Sequence, residues 1–309
     1  MLRSALLAAA RSTGCRALVE HTPMMRPVVD RFIAGTGVDD AVHIAHAIAT
    51  NRLVSLDHLG EEDTTDPTQA QRNVDAYREV LRRLGDEGLA AKAEVSVKLS
   101  ALGAALSAGG VTTALENTRQ ICAAAAAVGT TVTVDMEDHT MTDSTLAIVR
   151  ELRADFPSTG VVLQAYLKRT EADCVELACA GSRIRLCKGA YDEPASVAYR
   201  NKSEVDASYV RCLRILMEGQ GYPMVATHDG RMIRIAEQLA ARTQRSAQDF
   251  EFQMLFGVRP RTQQELATRG LRLRAYVPYG TEWYPYFMRR LAERPANLAF
   301  FLKSLAHPS

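Results

Sequence analysis

Eight short runs rich in β-branched residues recur along the chain, each closing on polar or small residues and each separated from the next by alanine- and leucine-rich stretches of helical period. In order they are Leu53–Asp57, Glu94–Lys98, Thr131–Asp135, Val161–Tyr166, Arg183–Cys187, Tyr222–Ala226, Phe250–Gln253 and Leu271–Tyr276. Helical stretches between them include Thr68–Leu84, Thr112–Val128, Ser144–Phe156, Ser203–Glu218 and Met232–Thr243. Strand alternating with helix along the whole chain predicts a parallel sheet covered by helices. Eight such units is the number that closes into a (βα)8 TIM-type barrel of the α/β class. The 309 residues, 47% of them hydrophobic, are enough to bury a core of that size.

The ends carry more than a minimal barrel needs. Residues 1–50 read as an N-terminal helical extension and residues 51–309 as the barrel, finished by a helix from Trp283 to Leu305 that is interrupted near Pro295. The first stretch, with the apolar run Ala5–Ala10 bracketed by Arg3 and Arg11, reads as an amphipathic helix rather than a signal peptide. No apolar run approaches the roughly 18 residues that a membrane span requires. With 37 basic and 36 acidic residues the formal charge is +1, so composition provides no field to recruit nucleic acid and a small-molecule partner is expected. The six cysteines lack paired CxxC spacing and fit reduced cytosolic core positions.

Catalytic groups of such barrels come from the C-terminal ends of the strands, and here those ends are polar. The first closes LDHLGE with Asp57, His58 and Glu61, the second carries Lys98, and the third reads DMEDH from Asp135. Gln164 and Lys168 follow in the fourth, Arg185 and Lys188 in the fifth, Thr227 and His228 in the sixth. Lys98 points into the barrel mouth or is capped by a carboxylate, and a buried ammonium needs a partner such as Asp135 or Asp57 either way. Arg185 and Lys188 followed by Gly189 and Ala190 suit either the close approach of a phosphate or ring, or an ordinary strand end. The carboxylates around Asp135 lack metal-ligand spacing, so no metal is expected. Tyr286, Arg289, Arg290 and Glu293 fall at i, i+3, i+4 and i+7 on one helical face, which is either a site for a substrate carboxylate or a solvated basic stripe.

Taken together and in order, SVKLSALG (Ser96–Gly103), TVDMED (Thr133–Asp138), LQAYLKR (Leu163–Arg169), IRLCKGAY (Ile184–Tyr191), ATHDG (Ala226–Gly230), FEFQMLFG (Phe250–Gly257) and YVPYG through YFMRRLAE (Tyr276–Glu293) resemble the proline dehydrogenase family from about residue 51 onward. The resemblance implies an FAD-dependent oxidation of L-proline to Δ1-pyrroline-5-carboxylate, the first step of proline catabolism to glutamate, with electrons passed to a membrane quinone. It implies active-site roles for Asp135 and Arg185, and FAD contacts from Met136, Gln164, Arg185, Lys188, Gly189, Ala190, Thr227 and His228. It implies that Lys98 helps bind substrate, that Arg289 and Arg290 hold its carboxylate, and that Leu255, Tyr276, Tyr286 and Glu293 shape the pocket. Asp192 stands where several relatives place an aromatic against the adenine. The chain ends soon after the barrel, so a separate pyrroline-5-carboxylate dehydrogenase is expected to use the product. The expected location is cytoplasmic, peripheral to the inner face of the membrane.

Two other readings fit a barrel with these strand ends. One is a lyase or aldolase in which Lys98 or Lys188 forms a Schiff base. The other is a non-catalytic amino-acid-binding barrel.

Overall fold

The computed structural model describes residues 12, 16, 17, 19, 20, 22, 25–60 and 64–292. The amphipathic first helix, Glu61, Glu293 and the final helix beyond residue 292 lie outside the described residues. Strands β1 (Leu53–His58), β2 (Ala93–Val97), β3 (Val132–Val134), β4 (Gly160–Gln164), β5 (Arg183–Cys187), β6 (Tyr222–Ala226), β7 (Glu251–Leu255) and β8 (Leu273–Tyr279) pair in parallel, in chain order, and close β8 onto β1. The expected (βα)8 barrel is the fold observed.

Helices α1 (Arg26–Asp30) and α2 (Val38–Ala49) precede the barrel, and α3 (Pro67–Asp86), α4 (Gly110–Ala127) and α5 (Thr142–Asp155) follow β1, β2 and β3. They are followed by α6 (Thr170–Leu177), α7 (Lys202–Glu218), α8 (Gly230–Arg242) and α9 (Pro260–Thr268) after β4 to β7, and by α10 (Trp283–Ala292) after β8. Local chemistry sets the starts of several. Asp66 accepts a hydrogen bond from the Thr68 amide with Pro67 at the first helical position of α3, and Asp229 does the same for the Arg231 amide at α8.

Strand alternation divides the barrel into two environments. Val54, Leu56, Val95, Val97, Val161, Leu163, Ile184, Leu186, Phe252 and Val277 face outward, into one core with Val74, Leu81, Ile121, Leu152, Leu213 and Ile233 of the surrounding helices. The residues between them face the lumen and are mostly polar. Arg185 of β5 reaches Ser55 of β1, Ser96 of β2 and Gln253 of β7, contacts between non-adjacent strands that can form only across the barrel axis.

A second apolar cluster sits over the C-terminal end of the barrel. Met25, Val28, Phe32 and Ile33 from the N-terminal region pack with Leu59, Val258 and the Trp283, Phe287, Met288 and Leu291 side chains of α10. Arg16 adds an ion pair to Glu282, 2.8 Å away, just ahead of α10. The extension, from which sequence yields no site, therefore abuts the helix that carries Arg289 and Arg290.

Gly257 is where this packing is tightest. Its φ of +71° is unfavourable for an L side chain, and a Cβ there would lie 1.8 Å from the Arg31 carbonyl oxygen. Gly257→Ala is expected to cost about 2 kcal/mol or more, seen in thermal unfolding as a Tm drop of roughly 4–8 °C. An unchanged Tm would show that the chain around Arg31 yields freely.

Candidate active site

One cavity of about 520 Å³ opens at the C-terminal ends of the strands. It gathers every described residue to which the family resemblance assigns a site role, whereas His58 and Lys168, also noted at strand ends, do not line it. Lys98, Asp135, Met136, Gln164, Arg185, Lys188, Gly189 and Ala190 reach it from β2 to β5; Thr227, His228, Leu255 and Tyr276 from β6 to β8; Tyr286, Arg289 and Arg290 from α10. Glu293 lies outside the described residues.

Arg185 forms the floor and is 5% exposed. Its Nη1 donates to Asp135 Oδ1 at 2.5 Å, Nε to Gln253 Oε1 at 2.5 Å, and Nη2 to Ser96 Oγ at 2.9 Å, while its guanidinium carbon lies 5.3 Å from the centre of the Tyr276 ring. Tyr276 donates its hydroxyl to the other carboxylate oxygen of Asp135, at 2.7 Å. Burial pushes the Asp135 carboxyl above its usual range, against the pull of Arg185 and Lys98. Burial likewise raises the Tyr276 hydroxyl, so it stays a donor. The Asp135 amide continues the ladder past β3 by bonding to the Val97 carbonyl at 2.8 Å, which fixes the position of this carboxylate.

Lys98 is held bidentately by Asp57, with both oxygens 2.9 Å from Nζ. Of the two partners expected for this lysine, Asp57 is the one it bonds. At the opposite side Lys188 lies 2.5 Å from Asp206 Oδ1 and 3.0 Å from Asp229 Oδ2, and Asp206 also receives Lys202 and Arg231. Gly189 has a φ of +102° and no room for a Cβ, which would meet the Tyr166 ring at 2.2 Å. Its smallness thus serves packing on Tyr166 rather than only the approach of a ligand. Gln164 donates to the Glu137 carbonyl at 2.7 Å, and the Leu255 amide donates to His228 Nε2 at 2.9 Å. The carboxylates after Asp135 diverge. Glu137 turns to the Ser100 amide at 2.9 Å, Asp138 caps Thr140, and His139 pairs with Glu193. Among the described residues no group of three His, Cys, Asp or Glu is placed to hold a metal ion.

Beneath the floor lies a network that sequence reasoning did not assign. Glu94, 1% exposed, accepts from Arg183 at 2.6 Å and Thr133 at 3.0 Å and lies 3.4 Å from Arg185 and 3.7 Å from Arg274. Glu251 pairs with Arg274 at 2.6 Å and accepts from Gln253, which also binds Arg185. Among the described residues the lumen holds four carboxylates, Asp57, Glu94, Asp135 and Glu251, against four cations, Lys98, Arg183, Arg185 and Arg274. The readable signal was parity. Ser55 and Asp57, Glu94 and Ser96, Arg183 and Arg185, and Glu251 and Gln253 alternate with apolar residues in strands that a parallel barrel buries on both faces.

Burial disfavours the ionised form of Glu94, but Arg183, Arg274 and Arg185 outweigh it and hold its pKa down to about 2. A folded pKa depressed from about 4.5 contributes stability that is complete above the unfolded value and lost as pH falls through the folded one. That contribution is on the order of 3 kcal/mol, lost between about pH 5 and pH 2. Glu94→Gln is expected to lower stability at pH 7 by about 3–5 kcal/mol and to flatten the fall in stability over that acid window, measured by urea unfolding from pH 3 to 7. An unaltered acid slope would remove Glu94 from the account.

A sequence model of the family described as "Proline dehydrogenase" matches residues 42–303. The chain is 38% identical over 276 residues to "Proline dehydrogenase 1" of Bacillus subtilis, covering 89% of each chain. It is 37% identical over 281 residues to "Proline dehydrogenase" of Deinococcus radiodurans, covering 90% of each. Among solved structures, proline utilization A (PutA) from Bdellovibrio bacteriovorus, inactivated by N-propargylglycine, superposes with a TM-score of 0.79 at 26% identity. That match covers 87% of this chain and 33% of the PutA chain, so this chain spans about a third of that larger protein.

Proposed function

The chain belongs to the proline dehydrogenase family, and from that premise we propose that it oxidises L-proline to Δ1-pyrroline-5-carboxylate with FAD bound in the barrel mouth. The observation that carries the reading is the convergence of fifteen separately placed residues, from seven strand ends and α10, on one cavity.

The donors present suit a flavin nucleotide. An amide at Gln164, a guanidinium at Arg185, an ammonium at Lys188 and a hydroxyl at Thr227 run along one cavity, an array matched to a polar ring system with an anionic tail. Met136, Gln164, Arg185, Lys188, Gly189, Ala190, Thr227 and His228 are the residues assigned to hold it. When bound, FAD supplies the two-electron acceptor that no side chain provides.

Arg289 and Arg290 are assigned to the proline carboxylate, with Lys98 assisting. Leu255, Tyr276, Tyr286 and Glu293 are assigned to enclose the ring. Anchoring one end of the substrate and walling the ring orients the reacting carbon, which accounts for much of the rate. Arg185, held by Ser55, Glu94, Ser96, Asp135 and Gln253, is a fixed cation that would favour the more negative reduced state of a flavin held beside it. Asp135 holds the Arg185 guanidinium and the Tyr276 hydroxyl in register.

Electrons are proposed to pass to a membrane quinone met at the cytoplasmic face, and the product to a separate pyrroline-5-carboxylate dehydrogenase. Among the described residues no helix is long and apolar enough to cross a membrane, and a peripheral encounter fits that. The Schiff-base alternative is weakened by the lysines themselves. Lys98 and Lys188 each lie within hydrogen-bond distance of two carboxylate oxygens, whereas an imine-forming lysine is activated by an apolar pocket or a neighbouring cation.

The test is the visible absorption spectrum of the purified protein before and after anaerobic addition of L-proline. Flavin bands that bleach are the expected result. A flavin that stays oxidised points to another amine, and a colourless protein that borohydride traps on proline-derived carbonyl compounds restores the lyase reading.

A further inference from the structure

We infer that Asp57 is the positioning residue for Lys98, an inference that rests on reading this cavity as a proline site. Asp57 closes β1 and is 1% exposed; Lys98 follows the end of β2, the neighbouring strand. Both carboxylate oxygens lie 2.9 Å from Nζ, and both residues line the cavity. A lysine ammonium is a point charge on a four-carbon stem with many rotamers, so its place at a binding site must be imposed by something else. A carboxylate this buried, anchored by a strand, imposes it. The dependence is mutual, because Asp57 without Lys98 is a buried anion deprived of its ion-pair partner.

The pair also sets the charge that a substrate meets. Asp57 offsets Lys98 as Asp135 offsets Arg185, so among the described residues lining the cavity these four cancel. Lys98 then contributes a placed donor more than net charge. Asp57 thereby acts on proline through Lys98.

The experiment is a double-mutant cycle of Asp57→Asn and Lys98→Met in the flavin-loaded protein, with KM and kcat for proline and the bound-flavin content measured for each. Asp57→Asn keeps the shape and removes the charge. The expected result is a KM raised on the order of thirtyfold by either substitution, with kcat and flavin content changed less than about threefold. The double variant is expected to be no worse than the weaker single variant, since both remove one function. A KM within about twofold of wild type for Asp57→Asn, or effects that multiply in the double variant, would overturn the inference. Asp57→Ser, which offers Lys98 a hydroxyl, serves with the same outcomes if the asparagine variant does not fold. A wild-type protein that binds flavin but does not turn over proline would instead sink the proposed function, so the two failures are distinct.

Discussion

Arg185→Met is expected to lower proline turnover by roughly a thousandfold, close to the upper range for loss of one preorganised electrostatic group. The reason is that Arg185, together with Gln253, which it bonds, joins the site to the lumen beneath it. Arg185 bonds Asp135 above, Gln253 and Ser96 beside it, and lies 3.4 Å from Glu94 below. Methionine fills similar volume but leaves Asp135 and Glu94 each short of a cation, so stability falls as well, by about 3–5 kcal/mol. Lysine is expected not to rescue turnover. One ammonium has neither the reach nor the fork geometry to satisfy five partners on or just past four strands. The measurement is kcat with an artificial electron acceptor alongside thermal unfolding of the same preparation. A variant that unfolds earlier yet keeps kcat within tenfold of wild type would make Arg185 a purely structural residue.

The dependence of the site on this lumen explains what the sequence made legible. Strand positions were readable because parallel strands buried on both faces leave β-branched clusters, and the barrel followed from their number. Among the helices, α6 and α9 went unnamed because, with 8 and 9 residues, they span too few turns to establish a period. β8 runs to Tyr279, three residues past the segment read from the sequence. There it pairs with β1, and the Pro278 carbonyl accepts the Ala34 amide at 2.9 Å, a contact supplied from 244 residues earlier in the chain that no local pattern announces.

Site residues divide along the same line. Those at strand ends, such as Lys98, Asp135 and Lys188, stood out because a charge closing an apolar run is conspicuous. Glu94 and Glu251 did not, since a charge at the start of a strand reads as a solvated end. Only closure of the barrel places them under the floor. Asp57 was visible as one of two candidate partners for Lys98, but choosing between them required knowing that Asp135 is taken by Arg185 and Tyr276.

The same logic bears on the arginine pair of α10, which faces the cavity rather than solvent. Arg289→Met and Arg290→Met, made separately, are each expected to reduce kcat/KM for proline by about 2–5 kcal/mol, or roughly thirtyfold to several thousandfold, mainly through KM. The loss should depend on the carboxylate. Pyrrolidine, which has the ring and no carboxylate, is expected to be turned over by either variant nearly as well as by wild type, so the preference for proline collapses. Lysine at either position is expected to recover only part of the loss, because a planar fork matches a carboxylate better than a point charge does. Arg290 lies 5.2 Å from the centre of the Tyr286 ring, and the Phe287 face of α10 packs on Phe32 and its apolar neighbours from outside the helix, so the pair is presented on a packed helix rather than a mobile loop. That rigidity is why a small truncation should be costly: the helix cannot shift to bring a substitute donor into place. Near-normal kcat/KM for proline in both variants would move the carboxylate site away from α10 and leave Lys98 as the remaining candidate to hold it.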